Sequence, residues 1–166
     1  MKTKDLAVVG FILVLAALLL FLWLSPSGHP MAPTAHFKDL NGKEFTLAQL
    51  KVRPVIINFW ATTCPGCVKE IPMLINTADK YASSQLVIIG VAMDYDPPEQ
   101  VREMVRRKKM NYTIVLDTDG QLAKSFNNVT LTPTTFFINR QGQIVKNKLG
   151  ELSHNEMEEA VNKIIL

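Results

Sequence analysis

Residues 54–72 read PVIINFWATTCPGCVKEIP, and the way this stretch divides decides the fold. Its first part, Pro54 to Trp60, is a near-continuous apolar run of strand length. That is the pattern of a strand covered on both faces. Its second part carries Cys64 and Cys67, the only two cysteines in the chain. Pro65 follows the first of them, at the one helical position where a missing N–H costs nothing. The stretch therefore predicts a buried strand, a short loop, and a helix that begins at Cys64 and ends near Tyr81. Pro72 falls inside that helix and is expected to kink it by removing a backbone hydrogen bond.

Working outward, the same alternation continues. Upstream, HFKDLNGKEFTL places apolar residues around Asn41-Gly42, a two-residue hairpin signal. Downstream, LVIIGVAM (86–93) reads as a second buried strand, and Pro97-Pro98 open a helix to about Lys109. Its apolar face is Val101, Met104 and Val105. TIVLD (113–117) is a third strand and GQLAKSF a short helix. TTFFINR and QIVKNKLG form a hairpin across Gln141-Gly142, and Ser153 with Glu156 makes a capping box for the last helix. Parallel βαβ connections followed by an antiparallel hairpin imply an α/β fold, a mixed sheet flanked by helices. The five basic residues among 102–110 read as a solvated helix face, with a docking patch for an acidic partner as the alternative.

The N-terminus is different in kind. Leu6 to Leu24 contains no charged or strongly polar residue. At about 1.5 Å per residue such a helix spans roughly 28 Å, the thickness of a hydrocarbon core. Trp23 stands at one end, where an amphipathic ring prefers the interface. Lys2 and Lys4 precede the run, and the next basic residue is Lys38. The positive-inside rule then keeps residues 1–5 in the cytoplasm and exports the rest. A cleaved signal peptide is the alternative. The apolar run exceeds the usual ~7–15 residues of such peptides, and the best small-x-small site, Ser25-Pro26-Ser27, contains a proline. The expected organisation is a cytoplasmic stub and signal-anchor (1–24), a Pro/Ser-rich linker (25–34) and one folded domain (35–166). The net charge of +3 is too small, and too poorly clustered, for nucleic-acid binding.

Three chemistries can use a C-x-x-C. Structural zinc needs four ligands, and His29, His36 and His154 are scattered rather than set at ligand spacing. A disulfide across so short a loop restrains the unfolded chain little, so it is a poor staple. A redox pair fits the strand–loop–helix setting. Cys64 at the helix N-cap gains its dipole and unpaired N–H groups, which stabilise a thiolate. Cys67, one turn on and on the same face, is placed to resolve a mixed disulfide. Glu70 lies one turn further along. From spacing it is either a proton carrier for Cys67 or a glutamate placed to suit the helix dipole. Trp60 is either plain core or packing beneath the pair.

FWATTCPGC resembles the active-site segment of the thioredoxin superfamily. With VKEIP, VLDTDG, LTPTTFFINRQGQIV and the export segment, the domain resembles the membrane-anchored TlpA/ResA-type thiol-disulfide oxidoreductases along its whole length. The resemblance implies a thioredoxin-like fold with an N-terminal β-hairpin and an α/β insertion. It favours a functional Glu70, and it matches Thr132-Pro133 to a cis-proline loop facing the cysteines. Thr132 and Pro133, with Trp60, would then form the substrate-binding surface, Thr132 pairing its backbone with an extended substrate segment. From residue statistics alone Pro133 would be trans.

Two departures stand out. Asn58 occupies a position where related strands carry aspartate, and an amide takes up no proton. It is read as a hydrogen-bonding residue of the sheet. Thr63 replaces a frequent tryptophan, which bears on substrate range. The implied partners are disulfide-containing protein substrates, a membrane electron-donor protein and, through residues 6–24, the lipid bilayer. No cofactor or metal is called for. The implied location is a bacterial cytoplasmic (inner) membrane with the domain on its periplasmic side, and the implied role is reduction of protein disulfides, as in cytochrome c biogenesis. The rival readings are a disulfide oxidase or isomerase on the same fold, a peroxiredoxin-like peroxidase, and a non-catalytic scaffold.

Overall fold

The computed structural model describes residues 3–24, 28–50 and 52–166, with side chains for 11–21 in the first of these stretches. The chain runs α1 (Thr3–Leu24), β1 (His36–Lys38), β2 (Glu44–Thr46), β3 (Val55–Trp60), α2 (Pro65–Lys80) and β4 (Val87–Ala92). It continues through α3 (Pro98–Lys108), β5 (Thr113–Leu116), α4 (Gln121–Ser125), β6 (Thr134–Ile138), β7 (Ile144–Leu149) and α5 (His154–Ile165). Each strand and helix expected from residue 54 onward is present, with ends within a residue or two.

β3 sits at the centre of a five-stranded sheet of order β5-β4-β3-β6-β7. It pairs in parallel with β4 and antiparallel with β6. All six of its residues are buried, which explains why the run shows no polar alternation. Period-two geometry still sorts its side chains. Ile57 and Phe59 enter one core with Phe37, Ile89, Val91, Phe126 and Phe136. Ile56 enters the opposite core with Leu74, Phe137, Met157 and Val161, from α2, β6 and α5. Burying each such side chain contributes about 1.5–3 kcal/mol, so this strand carries much of the domain's stability. Because β3 and β4 run parallel and β6 runs against them, the ends of β3, β4 and β5, the start of β6 and the end of β7 all lie at one pole.

Helix ends follow local chemistry. Ser153 Oγ accepts from the Glu156 N–H while the Glu156 carboxylate accepts from the Ser153 N–H, the expected capping box. Helix α2 is continuous through the exposed Pro72 as far as Lys80. The β1–β2 turn differs from expectation. The strands stop at Lys38 and Glu44, and the Asp39 carboxylate accepts from the N–H groups of Asn41 and Lys43. Gly42 takes φ +84°. The connection is thus a longer loop organised by Asp39, not a two-residue turn.

Helix α1 covers the segment expected to span a membrane. Residues 11–21 are apolar and exposed on every face. The side chains of residues 6–10 and 22–24 lie outside those described. Among the described residues no helix is long and apolar enough to cross a membrane, since a rise of about 1.5 Å per residue carries 11–21 over only about half the core. In the stretch read as a linker, Pro30 accepts from the Ile144 N–H and Ala32 donates to Gly142 O, both at 2.8 Å. These residues add a short edge to β7, so that part of the chain is docked on the domain.

Candidate active site

The pole at the end of β3 gathers the chemistry. Cys64 is the N-cap residue of α2, with extended backbone (φ −93°, ψ 106°), and its Sγ accepts from the Cys67 N–H at 3.1 Å. Cys64 and Cys67 are joined as a disulfide with Cα atoms 5.3 Å apart. Cys64 is partly exposed whereas Cys67 is buried. An incoming group therefore meets Cys64 first. Pro65 removes one N–H from the helix end, leaving the Cys67 amide as the donor that the sulfur receives.

Beneath the pair, Cys67 packs with Trp60, Ile71, Ala92, Val101 and Met104. Trp60 is 2% exposed. It supports the cysteine loop from below and offers no surface to a substrate, which corrects its assignment to substrate contact. Its indole fits because Gly90 stands opposite: a Cβ there would lie 3.2 Å from Trp60 Nε1 and 2.8 Å from Ile114 Cδ1. Gly90 was not singled out in the sequence, where nothing distinguishes it from any strand glycine.

Glu70 is 4% exposed, so it is not a solvated helix residue. One carboxylate oxygen accepts from the Leu152 N–H in the β7–α5 loop, and the other has no hydrogen-bond partner among the described residues. Burial pushes its carboxyl above the usual glutamate range, against the opposing pull of the Leu152 bond. Burial, with the Glu70 charge adding to it, likewise holds the Tyr112 hydroxyl far above its ordinary value. Glu70 also lines a cleft of about 500 Å³ with Lys69, Glu151 and Glu156. Glu151 lies over Gly66, where a Cβ would come within 2.9 Å of its Oε1, and is paired with Lys69 at 2.7 Å.

The Thr132-Pro133 bond is cis, as the resemblance implied and residue statistics did not. Thr134 pairs with Phe59 across β6 and β3, which sets Pro133 beside the loop leading to Cys64. Pro133 O accepts from the Gly150 N–H, and Thr134 Oγ1 donates to Leu131 O. Asn58 Nδ2 donates to Thr135 Oγ1 within the buried sheet, its expected role. A residue that sequence reasoning missed is Asp96. It is buried, and its carboxylate accepts from both the N–H and the Oγ1 of Thr62, at 2.6 and 2.5 Å. A cavity of about 290 Å³ lies under residues 31–35 at the opposite pole. Among the described residues its titratable side chains are Arg53 and Arg140, both tied to backbone carbonyls, so it does not compete as a reaction site.

Comparison with known proteins agrees with this geometry. Residues 26–165 match the Redoxin family. The chain is 33% identical over 133 residues to thiol-disulfide oxidoreductase ResA of Bacillus subtilis, covering 80% of this chain and 73% of that one. It is 29% identical over 124 residues to the sporulation thiol-disulfide oxidoreductase A of the same organism, 74% of each. Among solved structures, a thiol:disulfide interchange protein of the thioredoxin family from Chlorobium tepidum superimposes with TM-score 0.77 at 26% identity, over 86% of this chain and all of that one.

Proposed function

This chain belongs to the Redoxin family, as a TlpA/ResA-like thiol-disulfide oxidoreductase of the thioredoxin superfamily, and from that premise we propose that it is a membrane-anchored, extracytoplasmic reductant of protein disulfides. The observation that carries the reading is the arrangement along α2. Cys64 is partly exposed at the N-cap, Cys67 is buried behind it, and a buried glutamate with one unspent oxygen follows one turn later.

The exchange proceeds in two steps. The Cys64 thiolate attacks one sulfur of a substrate disulfide, forming a mixed disulfide and expelling the first substrate thiolate. Cys67 then gives up its proton and attacks Cys64 Sγ. The Cys64–Cys67 bond closes and the second substrate thiolate leaves. The pair loses two electrons and the substrate gains them; one substrate thiolate takes up the Cys67 proton by way of Glu70 and solvent, and the other is protonated from solvent. Glu70 takes the Cys67 proton on its free oxygen, and the cleft beside it allows exchange with solvent while substrate covers Cys64. Thr132, half-buried before Pro133, lends its backbone to the substrate segment. A membrane dithiol donor restores the reduced pair.

Direction follows from how well the thiolate is stabilised. Strong oxidants of this fold stabilise it heavily, which favours their reduced form. Here the sulfur receives one backbone N–H. Carboxylates belong to neighbouring positions: Glu70 one helical turn beyond Cys67, Glu151 over Gly66, and Asp96 bonded to Thr62. The nearby Lys69 is already engaged by Glu151. These carboxylates oppose the support that the helix N-terminus gives the thiolate, which favours the disulfide relative to a strong oxidant and supports a pair that gives electrons away. Anchoring is supported by residues 11–21 of α1, apolar and exposed on every face as no water-exposed helix needs, and by Lys2 and Lys4 ahead of the apolar run. The expected substrates are extracytoplasmic proteins with accessible disulfides, apocytochrome c among them.

The decisive experiment is trapping with Cys67→Ser in the full chain. Mixed disulfides through Cys64 should accumulate with reduced donor and with substrate. Absence of any adduct would remove the exchange mechanism. Equilibration against glutathione should give a potential well below the glutathione couple, whereas a value like those of strong oxidants would leave an oxidase.

A further inference from the structure

The cysteine loop has neighbours on two sides. On the β6 side lies the Thr132-Pro133 loop; on the β4 side the chain turns into α3. Between that helix and the Thr62-Thr63 turn is a cleft of about 420 Å³. Thr62 and Thr63 form the wall next to Cys64, and Glu99, Gln100 and Glu103 of α3 form the other. Met104 supplies apolar surface between them, and Arg107 closes the far end.

We propose that this cleft is a second substrate subsite, which takes a cationic side chain next to the substrate's disulfide cysteine. The proposal rests on the oxidoreductase reading above and adds a specificity to it. The groups lining the cleft at the start of α3 and on the threonine turn are acceptors: the Glu99 carboxylate, the Gln100 amide oxygen, which Thr62 Oγ1 meets at 3.5 Å, and two threonine hydroxyls. Glu103 is engaged by Arg106. Among the described residues no ion pair or hydrogen bond engages the Glu99 carboxylate, which stands exposed in the first turn of α3. A lysine or arginine stem has aliphatic length to lay along Met104 while its charged head reaches Glu99. Arg107 is eight residues along the helix from Glu99, about 12 Å, so it repels a cation placed deeper and fixes the polarity of the cleft.

The wall is built in advance of binding. Asp96 holds the Thr62 N–H and hydroxyl at 2.6 and 2.5 Å, and the Cys64 N–H closes the turn onto Ala61 O at 3.2 Å. Thr63, exposed between these fixed points, is presented without needing to be ordered by substrate, which spares part of the cost of binding.

The test compares two short disulfide peptides that differ only in carrying Lys or Glu beside the cysteine. The full chain, pre-reduced and in non-ionic detergent at low salt, should reduce the Lys peptide about three- to fivefold faster in the second-order rate constant of a single turnover, the upper range of one exposed charge pair. Raising the ionic strength should shrink the ratio. Glu99→Lys should reverse the order, a result that a merely structural role for Glu99 would not produce. Thr63→Trp, which fills the cleft, should bring the ratio close to one. Equal rates with the unmodified chain, or an unchanged preference in Glu99→Lys, would overturn the subsite while leaving the oxidoreductase reading intact. Failure to reduce either peptide would overturn both.

Discussion

Glu70 shows how far a single residue's surroundings change its meaning. Its spacing from Cys67 was compatible with a solvated carboxylate, but a chain segment 82 residues away closes over it and leaves one oxygen unspent. Burial raises its carboxyl above the ordinary value, so the sign of the pH effect follows. A raised acid contributes stability that is fully present below the ordinary glutamate value and is lost as pH rises through the raised one. Glu70→Gln should therefore flatten the fall in stability across that window, measured as denaturation midpoint against pH. It should also slow resolution of the mixed disulfide by about a hundredfold, the lower end of general acid–base effects, because water can still take the proton. A variant that resolves at the original rate would return Glu70 to a packing role. Cys64→Ser should abolish insulin reduction, and retained turnover would mean that Cys64 is not the nucleophile.

At the scale of elements, the domain is assembled by caps that reach across loops. Helix α4 has Gly120 at its N-cap, which offers no side chain. Asp117, at the end of β5, supplies the missing acceptor. Its two oxygens take the N–H groups of Leu122 and Ala123 at 2.9 and 2.7 Å. Asp117→Ala would leave both buried donors unpaired and should lower stability by about 2–3 kcal/mol in chemical denaturation. Asp117→Asn keeps one acceptor and should recover about half of that. The strands and long helices were legible because their signals are local: apolar runs, Pro65 at a helix start, and Ser153 with Glu156. Asp96 gripping Thr62, Asp117 capping α4 and Asp39 ordering its loop were not. A buried aspartate and a solvated one are spelled alike, and only the partner's position distinguishes them.

For the whole molecule, the testable statement is where it sits. The full chain should fractionate with membranes and resist alkaline extraction. Once reduced, Cys64 should react with a membrane-impermeant thiol reagent in intact cells. Recovery in the soluble fraction would refute the anchor. The sequence by itself determined the alternating α/β architecture, the buried central strand, the helix that begins at Cys64 and the redox character of the pair. Each of these depends on residues within a few positions of one another. The tertiary structure decided what surrounds the pair: Trp60 in the core beneath it, admitted by Gly90; Glu70 buried under Leu152; Pro133 beside the loop; and the α3 cleft walled by Thr62 and Thr63. Those features depend on which strand ends share a pole of the sheet, a non-local outcome of packing both faces of β3, and the energy of a buried charge is fixed by neighbours that the chain order does not reveal.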